Sequence, residues 1–111
     1  MSEKPYALFE NLQSLVGEIS ADSIVSRTFH RADNAKAIMF GFAPGQELSE
    51  HTSTQTAIIQ IVEGDATVTL GDDQYELSAG AWMYLPPELK HSIYAKTPVV
   101  MLLMMFGLKS E

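Results

Sequence analysis

Residues 45–64 read GQELSEHTSTQTAIIQIVEG, and this stretch decides the fold class. It holds two short runs, Glu47 to Ser53 and Ala57 to Val62, of which the second is rich in isoleucine and valine. β-Branched residues favour strands, and the Pro-Gly pair before the first run and Gly64 after the second are turn signals. The stretch therefore predicts two short β-strands bounded by turns.

The same pattern continues on both sides of this stretch. Seven further short runs of β-branched, aromatic or apolar residues are separated by turn-forming residues: Ile24 to Arg31, Ala37 to Ala43, Ala66 to Leu70, Gln74 to Leu77, Ala81 to Leu85, His91 to Ala95 and Val99 to Phe106. Short strands in such a series, with no helix-length segment among them, are typical of a sandwich or barrel, because closure removes exposed sheet edges. The predicted fold class is all-β.

The N-terminal residues differ from the rest of the chain. Residues 5–19 place Phe9, Leu12 and Val16 near helical spacing, which predicts a short helix or an irregular arm that packs on the barrel. A chain of 111 residues has room for one domain. We therefore predict an N-terminal arm or helix over residues 1–22 and a β-barrel over residues 23–111.

Composition excludes several classes of partner. Acidic residues outnumber basic ones by 14 to 7, for a formal net charge of −7, and the basic residues form no cluster. Nucleic acids and anionic membranes bind basic surfaces, so neither is expected as a partner. The chain has no cysteine, which removes disulfides and thiolate chemistry. Since it starts without a secretory signal pattern and its longest apolar run is too short to span a bilayer, we expect a cytoplasmic protein.

The spacing of particular residues resembles that of the cupin family. The first cupin motif runs from a glycine through a His-x-His pair and a glutamate to a second glycine. Here Gly45 is followed after five residues by His51, and Gly64 stands at the position of the second glycine. Ser53 replaces the second histidine of the pair, and Ala57 occupies the glutamate position.

The second cupin motif is present with changes of its own. It runs from a glycine through Pro-x-Gly to a histidine and an asparagine. This chain has Gly80, Pro86 and His91 at the matching spacings, with Ala95 at the asparagine position. The resemblance covers approximately residues 24–106. It implies a cupin-type double-stranded β-helix, also called a jelly-roll barrel.

The changed positions bear on metal binding. Cupins that hold a metal typically use the two histidines and the glutamate of the first motif and the histidine of the second, so the resemblance leaves only His51 and His91 as metal ligands. Catalytic zinc usually has three protein ligands, and non-haem iron uses two histidines and a carboxylate. No cofactor is therefore assigned as certain, and a divalent Mn, Fe, Ni or Zn ion on this reduced site is kept as an alternative.

By the same resemblance, we expect His51 and His91 to face each other in a pocket inside the barrel. Side chains alternate along a strand, so Ser53 and Gln55 share the face of His51 if the strand is regular. The two side chains then complete a polar wall beside the histidines. In the alternative interpretation, the imidazoles are core groups with satisfied hydrogen bonds that remain from a lost metal site.

Aromatic residues near the second motif extend this candidate pocket. Trp82 and Tyr84 share one face of their strand, and aromatic rings beside a polar pair suit a small organic ligand. Ordinary core packing explains both residues equally well. The candidate ligand-binding residues are therefore His51, Ser53, Gln55, Trp82, Tyr84 and His91.

Three functions remain open at this point. The preferred one is a small-molecule-binding cupin, in which the two histidines donate hydrogen bonds or act as general acid or base. The second is a metal-dependent enzyme, resembling a dioxygenase or an isomerase, and the third is a structural or protein-binding module. No catalytic residue is assigned, because the chain has no nucleophile elbow, phosphate-binding glycine loop or dinucleotide fingerprint.

The last predicted strand, Val99 to Phe106, is apolar on both of its faces. Such a strand is either central in its sheet or covered by another subunit. Met101, Met104 and Met105 suit irregular contacts of this kind, because methionine is flexible and polarisable. We expect a homodimer that forms through a sheet face.

Overall fold

The computed structural model describes residues 4–107, and β-strands make up most of this part of the chain. The strands are β1 (Ile24–Ala32), β2 (Ala35–Phe42), β3 (Glu47–His51), β4 (Thr56–Glu63), β5 (Asp65–Leu70), β6 (Asp73–Ser78), β7 (Trp82–Leu85), β8 (His91–Ala95) and β9 (Val99–Phe106). The one helical element among the described residues is a single 3₁₀ turn, Gln13–Leu15. No helix between residues 4 and 107 is long and apolar enough to cross a membrane.

The strands form two antiparallel sheets that pack face to face. One sheet has five strands in the order β1-β2-β9-β4-β7, and the other has four in the order β3-β8-β5-β6. Neighbours in space are mostly distant in sequence, as in double-sheet jelly rolls. The predicted all-β jelly-roll barrel is confirmed.

The core lies between the two sheets and follows the period-two alternation of the strands. On β4, Ala57, Ile59 and Ile61 are buried, whereas Gln60 between them is exposed. The largest fully buried side chains of the core cluster come from both sheets: Phe42, Ile61, Val68, Leu85, Ile93, Val99 and Met101. Alternation of this kind explains why a chain with few long apolar runs still encloses a continuous core.

Strand β9 is central in its sheet, the first of the two explanations given for its apolar sequence. It pairs with β2 on one side and with β4 on the other. Met101 is buried in the core, and Leu103 packs against it from the same side of the strand. Leu102 and Met104, on the opposite face, are only partly buried. The outer half of this strand is therefore covered incompletely within one chain.

The N-terminal arm is irregular apart from its 3₁₀ turn and packs on the outer face of the five-stranded sheet. Its Val16 and Ile19 lie directly over Gly41, where a side-chain Cβ would come within 2.7 Å of the Ile19 Cδ1 atom. The Arg27 guanidinium donates a hydrogen bond to the Leu15 carbonyl over 2.8 Å. The absence of a side chain at position 41 thus makes room for the arm.

Of the two forms predicted for residues 5–19, the structure contains the arm. The predicted division at residues 22 and 23 lies just before β1, which begins at Ile24. The outer ends of the two predicted segments, residues 1–3 and 108–111, lie outside the described residues. The division into these two segments stays a prediction.

The turn between β4 and β5 depends on Gly64 for two reasons. Its φ of +95° lies in the left-handed region, and a Cβ there would collide with the Pro98 carbonyl oxygen and come within 3.0 Å of its carbon. The same turn is hydrogen-bonded to the β8–β9 connection, since the Asp65 amide donates to Thr97 Oγ1 over 2.9 Å. Gly64 therefore allows two connections to pack directly on each other.

We expect Gly64→Ala to destabilise the fold more than Gly45→Ala does. Gly45 has a similar φ of +86°, but no atom lies within 4 Å of a Cβ built there. Left-handed backbone costs an L-residue roughly 1–2 kcal/mol, and overpacking adds about 1–3 kcal/mol. Only Gly64→Ala carries both costs. Urea denaturation of both variants measures the two losses in the free energy of unfolding, and equal losses would contradict the predicted collision.

Candidate functional site

The two motif histidines lie side by side at one end of the barrel. Strands β3 and β8 pair antiparallel, and their register sets His51 directly opposite His91. The centroids of the two imidazole rings are 4.2 Å apart, and the ring planes are tilted by 56°. The structure therefore brings together the two residues on which the predicted pocket depends.

Each imidazole is oriented by a backbone carbonyl two residues before it. His51 Nδ1 lies 2.8 Å from the Ser49 carbonyl oxygen, and His91 Nδ1 lies 2.9 Å from that of Leu89. A carbonyl oxygen only accepts, so Nδ1 carries the proton in both rings. In the neutral form, each ring then keeps its Nε2 lone pair, and no side chain or backbone group of residues 4–107 donates to either Nε2.

The two histidines differ in their exposure to solvent. His51 is exposed, whereas His91 is only 8% exposed and is the one buried polar residue in the described part of the chain. Burial lowers the pKa of His91 below the ordinary value of 6.5, the Leu89 carbonyl acts in the opposite direction, and the nearby His51 lowers it again. His91 is consequently a neutral imidazole at pH 7.

A cavity of about 500 Å³ adjoins the histidine pair. Its polar side consists of the two imidazoles and the β3–β4 loop, residues 52–55. Its apolar side comes from the inner face of the five-stranded sheet and from the β7–β8 loop: Ile38, Phe40, Ala57, Leu85, Pro86, Leu89, Leu103 and Met105. No Asp, Glu, Lys or Arg of the described chain lines the cavity. Its polar and apolar groups therefore lie on separate sides, without a fixed charge.

Ser53 and Gln55 also line the cavity, but a loop and not a strand carries them there. Strand β3 ends at His51, two residues before the end of the predicted run, and β4 begins at Thr56. The regular strand on which the shared face of His51, Ser53 and Gln55 was conditional is therefore absent. The Ser53 hydroxyl accepts a hydrogen bond from the Gln55 amide over 3.0 Å, which closes a local turn. This turn replaces strand alternation as the reason why both side chains reach the cavity.

The β3–β4 loop is joined to the β7–β8 loop across the rim of the cavity. The Glu88 amide donates to the Ser53 carbonyl oxygen over 2.7 Å. Glu88 has a φ of +69°, and it stands at the glycine of the Pro-x-Gly pattern in the second motif. A glutamate in the left-handed region is uncommon, and such strain persists only where the surrounding structure holds it. The hydrogen bond to Ser53 supplies part of that support.

Trp82 and Tyr84 do not line the cavity, which corrects their placement in the pocket. On β7, Met83 and Leu85 point into the core, so their neighbours point outwards. Trp82 and Tyr84 are 59% and 55% exposed on the outer face of the five-stranded sheet. The prediction that Trp82 and Tyr84 face the pocket is therefore wrong. The apolar residues Met83 and Leu85, at alternate positions of the same strand, indicate the buried face.

The sequence analysis did not predict which residues form the apolar wall of the cavity. Ile38 and Phe40 from β2 and Leu103 and Met105 from β9 supply much of it. They share a face because Ile38 is paired with Leu103 across the two strands. Their alternation along β2 and β9 indicates a common face, but only the packing of the two sheets against each other brings that face beside the histidines.

The residues present do not fit the metal that the cupin resemblance implies. Ala57, at the glutamate position, lies on the cavity wall at 5% exposure and offers no donor atom. Among residues 4–107, no group of three or more His, Cys, Asp or Glu side chains is placed to hold a metal ion. Two imidazoles with a serine hydroxyl nearby are a weak donor set for a divalent transition metal.

Comparison with known proteins identifies similar folds. The sequence matches the family model of the cupin domain over residues 38–106. A cupin superfamily protein from Desulfitobacterium hafniense is 24% identical with a TM-score of 0.81, over 94% of this chain and 93% of that one. A conserved protein of unknown function from Streptococcus pyogenes is 28% identical with a TM-score of 0.79, over 99% and 92% of the two chains. An RmlC-like cupin from Shewanella frigidimarina is 18% identical with a TM-score of 0.76, over 95% and 92%. No curated protein matches the sequence.

The lowered pKa of His91 makes stability depend on pH just below neutrality. In the unfolded chain the pKa of His91 is near the ordinary 6.5, whereas in the folded chain it is lower. Just below pH 6.5, His91 therefore binds a proton more readily in the unfolded chain than in the folded one. The free energy of unfolding therefore decreases as the pH falls from about 6.5 towards the folded-state pKa of His91. Urea denaturation between about pH 7.5 and 5.5 should show a smaller decrease for His91→Gln than for the wild type.

An NMR titration of the His91 imidazole measures the same property directly. The expected result is a pKa below 6.5. A pKa at or above that value, or an equal loss of stability in His91→Gln and the wild type, would contradict the effect of burial described above.

Proposed function

The chain belongs to the cupin family, and from that premise we propose that it binds one small organic molecule in the cavity beside His51 and His91. The observation that carries this proposal is the pair of imidazoles, whose ring centroids are 4.2 Å apart. In each ring, the Nδ1–H group donates a hydrogen bond to a backbone carbonyl. Both Nε2 atoms are left for a ligand. A cavity of about 500 Å³ also falls within the range typical of small-molecule sites.

The lining of the cavity supports a ligand with a polar end and an apolar body. The polar end, a hydroxyl or a protonated carboxyl group, donates one hydrogen bond to an Nε2 lone pair, with Ser53 and Gln55 as further polar contacts. The apolar body packs against side chains such as Phe40, Leu85 and Leu103. Without a charged residue on the wall, the cavity favours uncharged ligands or acids that bind in their protonated form.

The same histidines can take part in a reaction without a metal. A neutral imidazole accepts a proton at Nε2 and returns it at a pH near neutrality, which is the property required of a general acid or base. Their fixed orientation suits this role, but no reaction is assigned to the chain. Binding of a small molecule is the more general function and is the one proposed.

A metal-dependent cupin enzyme, resembling a dioxygenase or an isomerase, is the alternative. It is favoured by one observation, since a histidine whose Nδ1 donates to a carbonyl presents Nε2 in the tautomer that binds metals. The donor set argues against it, because Ser53 and Ala57 stand where a cupin metal site has its other ligands. The two functions differ in the metal content of the protein.

We also propose that the chain forms a homodimer, as the apolar sequence of β9 led us to expect. Strand β9 is central in its sheet, so only its outer face is available to a second subunit. A cytoplasmic location stays a prediction from the sequence. Partners other than a small ligand and a second copy are not proposed.

A ligand screen tests the binding proposal. Thermal unfolding is measured with a panel of small phenols, alcohols and carboxylic acids, for which a ligand at about one hundred times its dissociation constant stabilises the fold by roughly 2.7 kcal/mol. At least one class should raise the melting temperature of the wild type. The double variant His51→Ala/His91→Ala should lose this response, whereas Tyr84→Ala, on the outer face of the sheet, should keep it.

Two results of this screen would count against the proposal. Equal responses of the wild type and the double variant would move the binding site away from the histidines. No response to any class, together with an effect of the histidine variants on stability alone, would support a structural module instead.

Metal analysis separates the proposed function from its alternative. Protein purified without a histidine tag should contain much less than one equivalent of Mn, Fe, Ni or Zn, because two imidazoles alone bind such ions weakly. Elemental analysis of the wild type and of His51→Ala/His91→Ala makes this measurement. Stoichiometric metal that is lost in the double variant would establish the alternative.

A further inference from the structure

A second hollow adjoins the cavity beside the histidines. It has a volume of about 340 Å³ and is lined by Glu50, His51, Thr52 and Lys90, all of which are exposed to solvent. His51 and Thr52 also line the cavity described above. The two spaces therefore meet at these two residues, and the second one is called the outer hollow below.

Each charged residue of the outer hollow stands directly before a motif histidine. Glu50 precedes His51, and Lys90 precedes His91. On a regular strand, neighbouring side chains point to opposite faces, but the register of β3 shifts between Leu48 and His51. Such a bulge re-aims side chains, and Glu50 and His51 line the same hollow although they are adjacent. The bulge thus places a carboxylate and an imidazole on one wall.

Glu50 and Lys90 do not neutralise each other. Among residues 4–107, the one ion pair with nitrogen and oxygen within 4.0 Å joins Lys96 to Glu76. The Glu50 carboxylate and the Lys90 ammonium are therefore more than 4.0 Å apart, although they line one hollow. Opposite charges separated in this way leave room between them for a molecule that carries both charges.

The cavity on the other side of His51 is unsuited to charge. Within the described chain it has no Asp, Glu, Lys or Arg on its wall, and most of its lining side chains are apolar. A charged group inside it would lose its hydration without gaining a partner. A charged ligand of this site therefore keeps its charged groups in the outer hollow and places an apolar part in the cavity.

We propose that the ligand is zwitterionic at one end and apolar at the other, as is an α-amino acid with an apolar side chain. Its carboxylate accepts a hydrogen bond from the Lys90 ammonium. Its own ammonium donates to the Glu50 carboxylate and to the Nε2 lone pair of His51. Its side chain packs against cavity residues such as Phe40 and Leu103. The proposal rests on the small-molecule binding proposed above and names the class of ligand.

Charge complementarity favours a zwitterion over an ion of one sign. The chain carries a formal net charge of −7, which repels a free anion. A ligand with only a carboxylate also faces Glu50, and a ligand with only an ammonium faces Lys90. A zwitterion has no net charge, and each of its charged groups meets a group of the opposite sign.

Isothermal titration calorimetry with matched compounds tests this assignment. L-Phenylalanine carries both charges, hydrocinnamate only the carboxylate and phenethylamine only the ammonium. L-Leucine, isocaproate and isoamylamine form a second series with a smaller apolar part. In at least one series, the wild type should bind the amino acid roughly tenfold more tightly than either analogue, because only the amino acid contacts both Glu50 and Lys90.

Two substitutions in the outer hollow separate the two contacts. Lys90→Met should weaken binding of the amino acid and of the carboxylate roughly fivefold, and should leave the amine bound no more weakly. Glu50→Gln should weaken the amino acid and the amine by a similar factor, and should leave the carboxylate bound no more weakly. Factors of this size are expected for solvent-exposed charged contacts.

Lys96 and Glu76 provide the matched controls. They pair with each other over 2.9 Å, and neither lines the cavity or the outer hollow. Lys96→Met and Glu76→Gln change the net charge by the same amounts as the two test substitutions and should leave every affinity unchanged. Thermal unfolding verifies that all four variants fold.

The outcomes separate this inference from the proposed binding site itself. Equal affinities within both series, or an effect of Lys90→Met no larger than that of Lys96→Met, would overturn the zwitterionic ligand and leave the cavity as a site for a ligand from the screen above. The same holds if no compound of either series binds while the screen finds a ligand that requires the histidines. The absence of any histidine-dependent ligand from both experiments would overturn both proposals.

Discussion

Strand β9 lies between β2 and β4, and both faces of the five-stranded sheet depend on this pairing. Its inward side chains, among them Met101 and Leu103, close the core and reach the cavity wall. Its outward side chains, Leu102 and Met104, line a shallow pocket on the outer face of the sheet together with Phe9 of the N-terminal arm. A strand with apolar residues at every position requires cover on two sides. Residues 99–101 are buried, on both faces of β9, and residues 102–106 are partly buried on both. The cavity beside the histidines and the pocket beside the arm therefore lie on opposite sides of one strand.

The candidate site keeps the framework of a cupin but not its donor set. His51 and His91 occupy the positions at which two strands from different motifs meet, so their proximity follows from the register of β3 and β8. At the remaining ligand positions, serine and alanine remove a nitrogen and a carboxylate. The result is a pocket without an Asp, Glu, Lys or Arg of the described chain on its wall, and most of its lining side chains are apolar. Such a pocket suits an organic molecule better than a bare cation.

Much of the fold could be predicted from the sequence, because glycines and alternating apolar residues mark its turns and strands at regular intervals. The proximity of His51 and His91 followed from the motif spacing. The direction of Trp82 and Tyr84 did not, since the motif marks where their strand ends but not which of its faces is buried. The first of the two predicted runs ends at His51 and not at Ser53, because the Ser53 hydroxyl accepts a hydrogen bond from the Gln55 amide, a local interaction that competes with strand pairing. The apolar cavity wall depends on strand pairing between β2 and β9, which spacing along the chain does not encode.

The carbonyl contacts of the two imidazoles have a consequence for recognition. A histidine side chain that is free in solution samples several rotamers and both neutral tautomers, and a ligand that selects one arrangement must offset that lost freedom. Here the Ser49 and Leu89 carbonyls hold each ring in one orientation before anything enters the cavity. This ordering is completed during folding. A molecule that binds the pair, as proposed above, does not have to offset the loss of that freedom, so more of each contact contributes to its affinity.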